Sequence, residues 1–105
     1  MPPRNGTSNA EIRLERKIPN GKLLKCRSTI ENGRISGIKF FGDFFLHPEE
    51  SIEEMEKELL GKERDEGRAT ILDLLNRPGV EMAGISPDDF ADMFSEVFDM
   101  AGSGE

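Results

Sequence analysis

A chain of 105 residues with a formal net charge of −7 and 33% charged residues has room for one compact core, and its acidity argues against a general nucleic-acid binder. No apolar run approaches the ~20 residues needed to cross a bilayer, and the start, Met1 to Ala10, carries no apolar signal segment, so a cytoplasmic protein without membrane contact is expected. One cysteine, Cys26, cannot form an internal disulfide, and one histidine leaves no cluster resembling a zinc or iron site. The charge is divided along the chain. Met1 to Phe40 holds nine basic and three acidic residues, net +6, and Phe41 to Glu105 holds five basic and eighteen acidic, net −13, so the two halves are expected to face different surroundings.

Residues 1–10 are rich in turn formers and poor in apolar groups; ordering them would cost entropy without burying anything, so they read as a disordered tail. From Glu11 to Ile18 the pattern alternates, with Ile12, Leu14 and Ile18 on one side and Glu11, Arg13, Glu15 and Lys17 on the other, the period of a half-buried strand. Pro19-Asn20-Gly21 supplies a turn. A second alternating run, Lys22 to Glu31, places Leu24, Cys26 and Ile30 inward and Lys25, Arg27, Thr29 and Glu31 outward. Asn32-Gly33 follows, and both residues tolerate the positive backbone angles of a type I′ hairpin turn. The third strand runs from Arg34 to about Phe41, with Ile38 and Phe40 on one face and Gly37 a candidate bulge.

At Pro48 the period changes to about 3.6 residues. Ile52, Met55 and Leu59 recur on one helical face, while Glu49, Glu50, Glu53, Glu54, Glu56 and Lys57 cover the rest as a solvated surface. His47 is placed as the N-cap, Pro48 suits the first helical position, and Gly61 can close the far end. A second helix covers Glu66 to Asn76, with Ala69, Ile71, Leu72 and Leu75 as its buried stripe before Pro78-Gly79. The last helix opens at Ser86-Pro87-Asp88-Asp89 and carries Phe90, Met93, Phe94, Val97 and Ala101. With Phe98 this is a wide apolar stripe; core packing is the default, and any surplus would mark an interface. Residues 102–105 should fray, leaving 11–101 as the domain.

These elements define an α+β fold: a three-stranded antiparallel meander followed by about three helices packed on one face. The uncovered sheet face would show Arg13, Lys17, Lys25, Arg27 and Lys39, a place to look for an anionic partner.

Between Pro19 and Leu60 an alternating strand and an Asn-Gly hairpin lead into Gly42-Asp43-Phe44-Phe45, then His47-Pro48-Glu49-Glu50 opening an acidic helix, with Ile85-Ser86-Pro87 ahead of a late helix. This combination resembles the small C-terminal domain of bacterial lipoate-protein ligases, and the separate small subunit found where that ligase is split into two chains, as in some archaea. The resemblance implies an accessory subunit of lipoate-protein ligase that works with a separate catalytic subunit as a heterodimer. In that family the large domain binds lipoate, ATP and magnesium, forms lipoyl-adenylate and transfers the lipoyl group to a lysine of a lipoyl acceptor domain. The small domain is required for activation. This chain has no arginine-rich Gly-Gly-Gly lipoate loop and no room for the large domain's fold, so no catalytic residue, no metal ligand and no cofactor of its own are expected.

The residues expected to face the partner or the adenylate site are Lys39, Gly42, Asp43, Phe44, Phe45 and His47. Beside that stands a plainer reading in which Phe44 and Phe45 fill the core and Asp43 satisfies loop amides; both can hold, because adjacent side chains near a strand end point in opposite directions. His47 reads as a helix cap rather than a catalytic base, and Cys26 as a small core residue. The alternative function is a non-enzymatic protein-interaction module of the same fold, unrelated to lipoylation.

Overall fold

The computed structural model describes residues 11–19 and 22–103, with side chains as far as Ala101; the expected tail over 1–10 lies outside the described residues, as do Gly104 and Glu105. Strands β1 (Ile12–Lys17), β2 (Leu23–Glu31) and β3 (Arg34–Asp43) form an antiparallel sheet in the order β1-β2-β3. The hairpin between β2 and β3 turns at Asn32 (φ 56°) and Gly33 (φ 78°), both positive, as a two-residue type I′ turn requires.

The bulge falls one residue before its expected place. Thr29 pairs with Gly37 and Ile30 with Ile35, so Ser36 is the extra residue on β3. Ile35 and Ile38, three apart, can therefore both enter the core, which strict alternation would forbid. The inward side of β2 is Leu24, Cys26 and Ser28, with Ile30 only half-buried. Ser28 is tolerated there because its hydroxyl donates to Gly37 O at 2.8 Å.

Three helices cover that face: α1 (Glu50–Leu59), α2 (Arg64–Leu75) and α3 (Pro87–Ser103), the last continuing through two of the residues expected to fray. On α3, Phe90, Met93, Phe94 and Val97 are fully buried, while Phe98 and Ala101 are half-buried, so most of the wide apolar stripe is taken up by the chain's own core. Phe90 holds the centre, with edge-on rings of Phe40 at 5.3 Å and Phe44 at 5.4 Å. Ser86 and Asp89 cap the start of α3: Asp89 Oδ2 accepts from Ser86 N–H at 2.8 Å and Ser86 Oγ accepts from Asp89 N–H at 3.3 Å.

Helix α2 differs in phase from the sequence reading. It starts earlier, with a capping box between Glu63 and Glu66, and buries Gly67, Ile71, Leu74 and Leu75, while Ala69 is exposed and Leu72 half-buried. The phase is set by Gly67, where a side-chain carbon would lie 2.1 Å from the Phe94 ring; α2 approaches α3 at the one point of its surface that has no side chain.

A second sheet, not anticipated, pairs β4 (Phe45–His47) with β5 (Glu81–Ala83) in antiparallel register, Phe45 opposite Ala83 and His47 opposite Glu81. Strands of three residues are too short to show a period. This pairing overturns the expected capping role of His47, whose backbone belongs to β4; α1 begins only at Glu50, with Glu49 in the cap position and a cis His47–Pro48 peptide between strand and helix. At the far end, Gly61 takes φ +82° as expected, but its N–H crosses to Ile35 O at 2.8 Å and ties the end of α1 to β3.

Candidate functional site

The segment that leaves β3 and enters α1 carries five of the six expected site residues, and the structure separates them by role. Gly42 has φ +150°, and a side-chain carbon there would meet Leu23 O at 2.1 Å, so glycine lets the end of β3 lie against β2. Asp43 closes β3 and is exposed, opposite Leu23. Phe44 turns inward onto Phe90, and Phe45 turns outward, 52% exposed, stacked on the His47 ring at 6.4 Å and 10°. Of the phenylalanine pair, one ring enters the core and the other stays exposed. Leu46 between Phe45 and His47 is buried, so the two exposed rings share one face of β4.

Lys39 points from the open face of β3, with its side chain 63% exposed and its Nζ 3.6 Å from Glu56 Oε1. Glu56 was expected on the solvated face of α1, and the structure corrects that: it is buried at 8% exposure, and its Oε2 accepts from Phe40 N–H at 2.8 Å. The carboxylate satisfies a backbone donor on the outer edge of β3 that no neighbouring strand takes, which makes its burial tolerable. The signal was present in the spacing. Glu56 lies four residues after Ile52 and three before Leu59, on the apolar stripe itself.

Beside this pair opens a groove of about 690 Å³ between the open sheet face and the start of α1. Arg27, Lys39 and Phe41 line the sheet side, His47 sits with them, and Glu49, Glu50 and Glu53 line the helix side above Glu56. Of the six expected residues only Lys39 and His47 reach it; Gly42, Asp43, Phe44 and Phe45 do not. Arg27 and Phe41 were missing from that set, and the guanidinium of Arg27 lies over the Phe41 ring at 5.7 Å, held there with Phe41 itself 41% exposed. Their signal was the alternation of β2 and β3, which puts Arg13, Arg27 and Lys39 in one row across the sheet and Glu15, Lys25 and Phe41 in the next.

That face is less purely basic than the sequence suggested. Glu11 accepts from Arg13 at 2.8 Å and lies 3.9 Å from Arg27, and Glu15 pairs with Lys25 at 3.4 Å. The alternation that lines up cations on the open face lines up these glutamates with them. Chemically the groove offers charges of both signs and two exposed rings, Phe41 and His47, suited to gripping a polar surface. Cys26, beneath the sheet, supplies no nucleophile: burial first, and the Glu56 charge second, push its thiol from 9.0 up to about 12. Among the described residues no three His, Cys, Asp or Glu side chains come together as a metal site, and no helix is long and apolar enough to cross a membrane.

An antiparallel meander covered on one face by helices, with a charged groove at the rim, describes a small α+β domain with one open sheet side. The chain belongs to the family of the bacterial lipoate protein ligase C-terminus, which it matches over residues 7–94. It is 35% identical over 68 residues to Lipoate-protein ligase A subunit 2 of Thermoplasma acidophilum, covering 65% of this chain and 71% of that protein. Its fold is similar to a chain solved in the structural analysis of an archaeal lipoylation system from the same organism, a bi-partite lipoate protein ligase and its lipoyl domain. The TM-score is 0.68 at 28% identity, and the likeness covers 81% of this chain and 97% of that one.

Proposed function

We propose that this protein is the accessory subunit of a two-chain lipoate-protein ligase, required with a separate catalytic subunit for ATP-dependent activation of lipoate to lipoyl-adenylate. The observation that carries the proposal is the likeness to a chain of a bi-partite ligase over 97% of that chain's length, within a family match spanning residues 7–94. The same likeness favours this role over an interaction module unrelated to lipoylation.

On this reading the chain has no autonomous activity and works in the cytoplasm, and lipoate, ATP and magnesium bind on the catalytic subunit. Adenylate formation brings a carboxylate against the α-phosphate of ATP, two anions that must be held together and kept from water. A small domain closing over the pocket can do both. The groove bounded by Arg27, Lys39, Phe41 and His47 is the surface we assign to that contact, because it sets cations and an exposed ring opposite the glutamates of α1, beside the segment that carries the family likeness.

Reconstitution tests the proposal. The catalytic chain, lipoate, ATP, magnesium and apo lipoyl domain are mixed with and without this protein, and lipoyl-adenylate and lipoylated product are measured separately. Adenylate formation is expected to fall at least about tenfold when the protein is left out. Equal adenylate formation in both mixtures would remove the accessory role.

A further inference from the structure

The two edges of the three-stranded sheet are finished differently. Along β3 the outward backbone groups are used within the chain: Ile35 N–H donates to Lys62 O at 3.0 Å, Ile35 O accepts from Gly61 N–H at 2.8 Å, and Phe40 N–H donates to Glu56 Oε2 at 2.8 Å. Because Phe40 N–H points away from β2, its register partner Cys26 turns its own backbone groups toward Leu14 of β1. Ile12, Leu14 and Arg16 thus bond to β2, and the backbone groups of Glu11, Arg13, Glu15 and Lys17 face outward. Among the described residues no strand, loop or side chain takes them. An uncovered edge of this kind is a template for another strand.

The side chains along it say which strand. Glu11, Arg13, Glu15 and Lys17 are all exposed and alternate in sign, negative, positive, negative, positive. Run in the opposite direction, the same series is positive, negative, positive, negative. An antiparallel copy set with its Glu15 opposite Arg13 and its Lys17 opposite Glu11 meets an opposite charge at every outward position, and Leu14 meets its own counterpart on the twofold axis. Hydrogen bonding allows this register, since it pairs outward-facing residues with outward-facing residues and keeps the charged set on the same side of both sheets.

We propose that the β1 edge is a self-docking surface, through which two copies of this chain join by antiparallel β1 to β1 pairing in this register. The result is one continuous sheet of six strands. An edge of six residues is about 20 Å long, so the contact is small and the dimer is a weak and reversible one. Its charge pairs are solvent-exposed, with side-chain exposures of 72% at Arg13 and 60% at Glu15, so added salt weakens it.

Sedimentation equilibrium of the full chain across a concentration series, at low and high salt, reads the association. Two variants decide the register. Arg13→Glu and Glu15→Arg each put like charges opposite one another twice in a homodimer, and each alone is expected to lower the association constant at least about tenfold. Mixed one to one they are expected to recover association, because the carboxylates of one variant then face the guanidinium groups of the other. Thermal unfolding of each variant confirms that it is folded. The proposal is overturned if the wild-type chain stays monomeric throughout, if either variant associates as well as wild type, or if the mixture associates no better than its components.

Discussion

At the scale of single residues, Glu56 and Cys26 show how burial changes what a familiar side chain does. Glu56 anchors α1 to the outer edge of β3 through one hydrogen bond and one ion pair. Glu56→Ala would leave the Phe40 N–H without its acceptor and is expected to destabilise the fold by about 1–3 kcal/mol, whereas Glu56→Gln, which keeps an acceptor oxygen, should cost less. Urea unfolding of the two variants measures the difference, and equal losses would count against the hydrogen bond as the stabilising element. Cys26 contributes a pH dependence. Its folded thiol is raised from 9.0 to about 12, so the unfolded chain loses its proton first. The contribution is fully present below about pH 9 and declines as pH rises toward 12, by at most about 1.4 kcal/mol per pH unit. Wild type should therefore lose more stability than Cys26→Ala between about pH 9 and pH 11, with identical losses contradicting the shift. His47 illustrates what local signals miss: the dipeptide before a glutamate-rich run suggests a cap, but pairing with Glu81 from a distant segment makes it a strand residue.

At the scale of elements, the strands were the most readable because their inside and outside differ at every second residue. Their one irregularity, Ser36, was announced only as a neighbouring glycine. Helix α2 was harder. Its apolar residues occupy more than one side, and what selects the buried side is the approach of Phe94 to Gly67. Gly67→Ala raises intrinsic helix propensity by about 1 kcal/mol, yet its new carbon would press into the Phe94 ring, so a net loss of about 1–3 kcal/mol is expected. A thermal midpoint that rises instead would show that α2 is free to shift away from α3.

At the scale of the whole molecule, the basic first half and the acidic second half do not face separate surroundings, as their composition suggested. They meet. Arg16 pairs with Glu96 of α3, Arg34 with Glu63 at 3.1 Å, and Lys39 with Glu56 at 3.6 Å, because the helices fold back over the sheet. Further pairs join the helices to one another, Arg64 with Asp99 at 3.1 Å and Arg77 with Glu54 at 3.3 Å. Among the described residues the open sheet face, the groove beside it and the β1 edge stay available for a partner, and the loss of adenylate formation expected in the reconstitution belongs to this scale, since it needs two chains. The wide stripe of α3, which could have marked an interface, instead sends Phe90, Met93, Phe94 and Val97 into the core and leaves Phe98 half-buried.

The meander, its Asn32-Gly33 turn, the existence of three helices and the likeness to the lipoate-protein ligase accessory domain were all legible in residue order, since each rests on short-range periodicity, turn chemistry or a local run of residues. That Glu56 accepts from Phe40 N–H, that His47 belongs to a strand, that Gly67 sets the phase of α2, and that Lys39 and His47 share a groove with Arg27 and Phe41 came from the folded chain alone. Each of these depends on a group far along the chain supplying a hydrogen bond, a surface or a charge, and no local pattern encodes which distant residue will arrive.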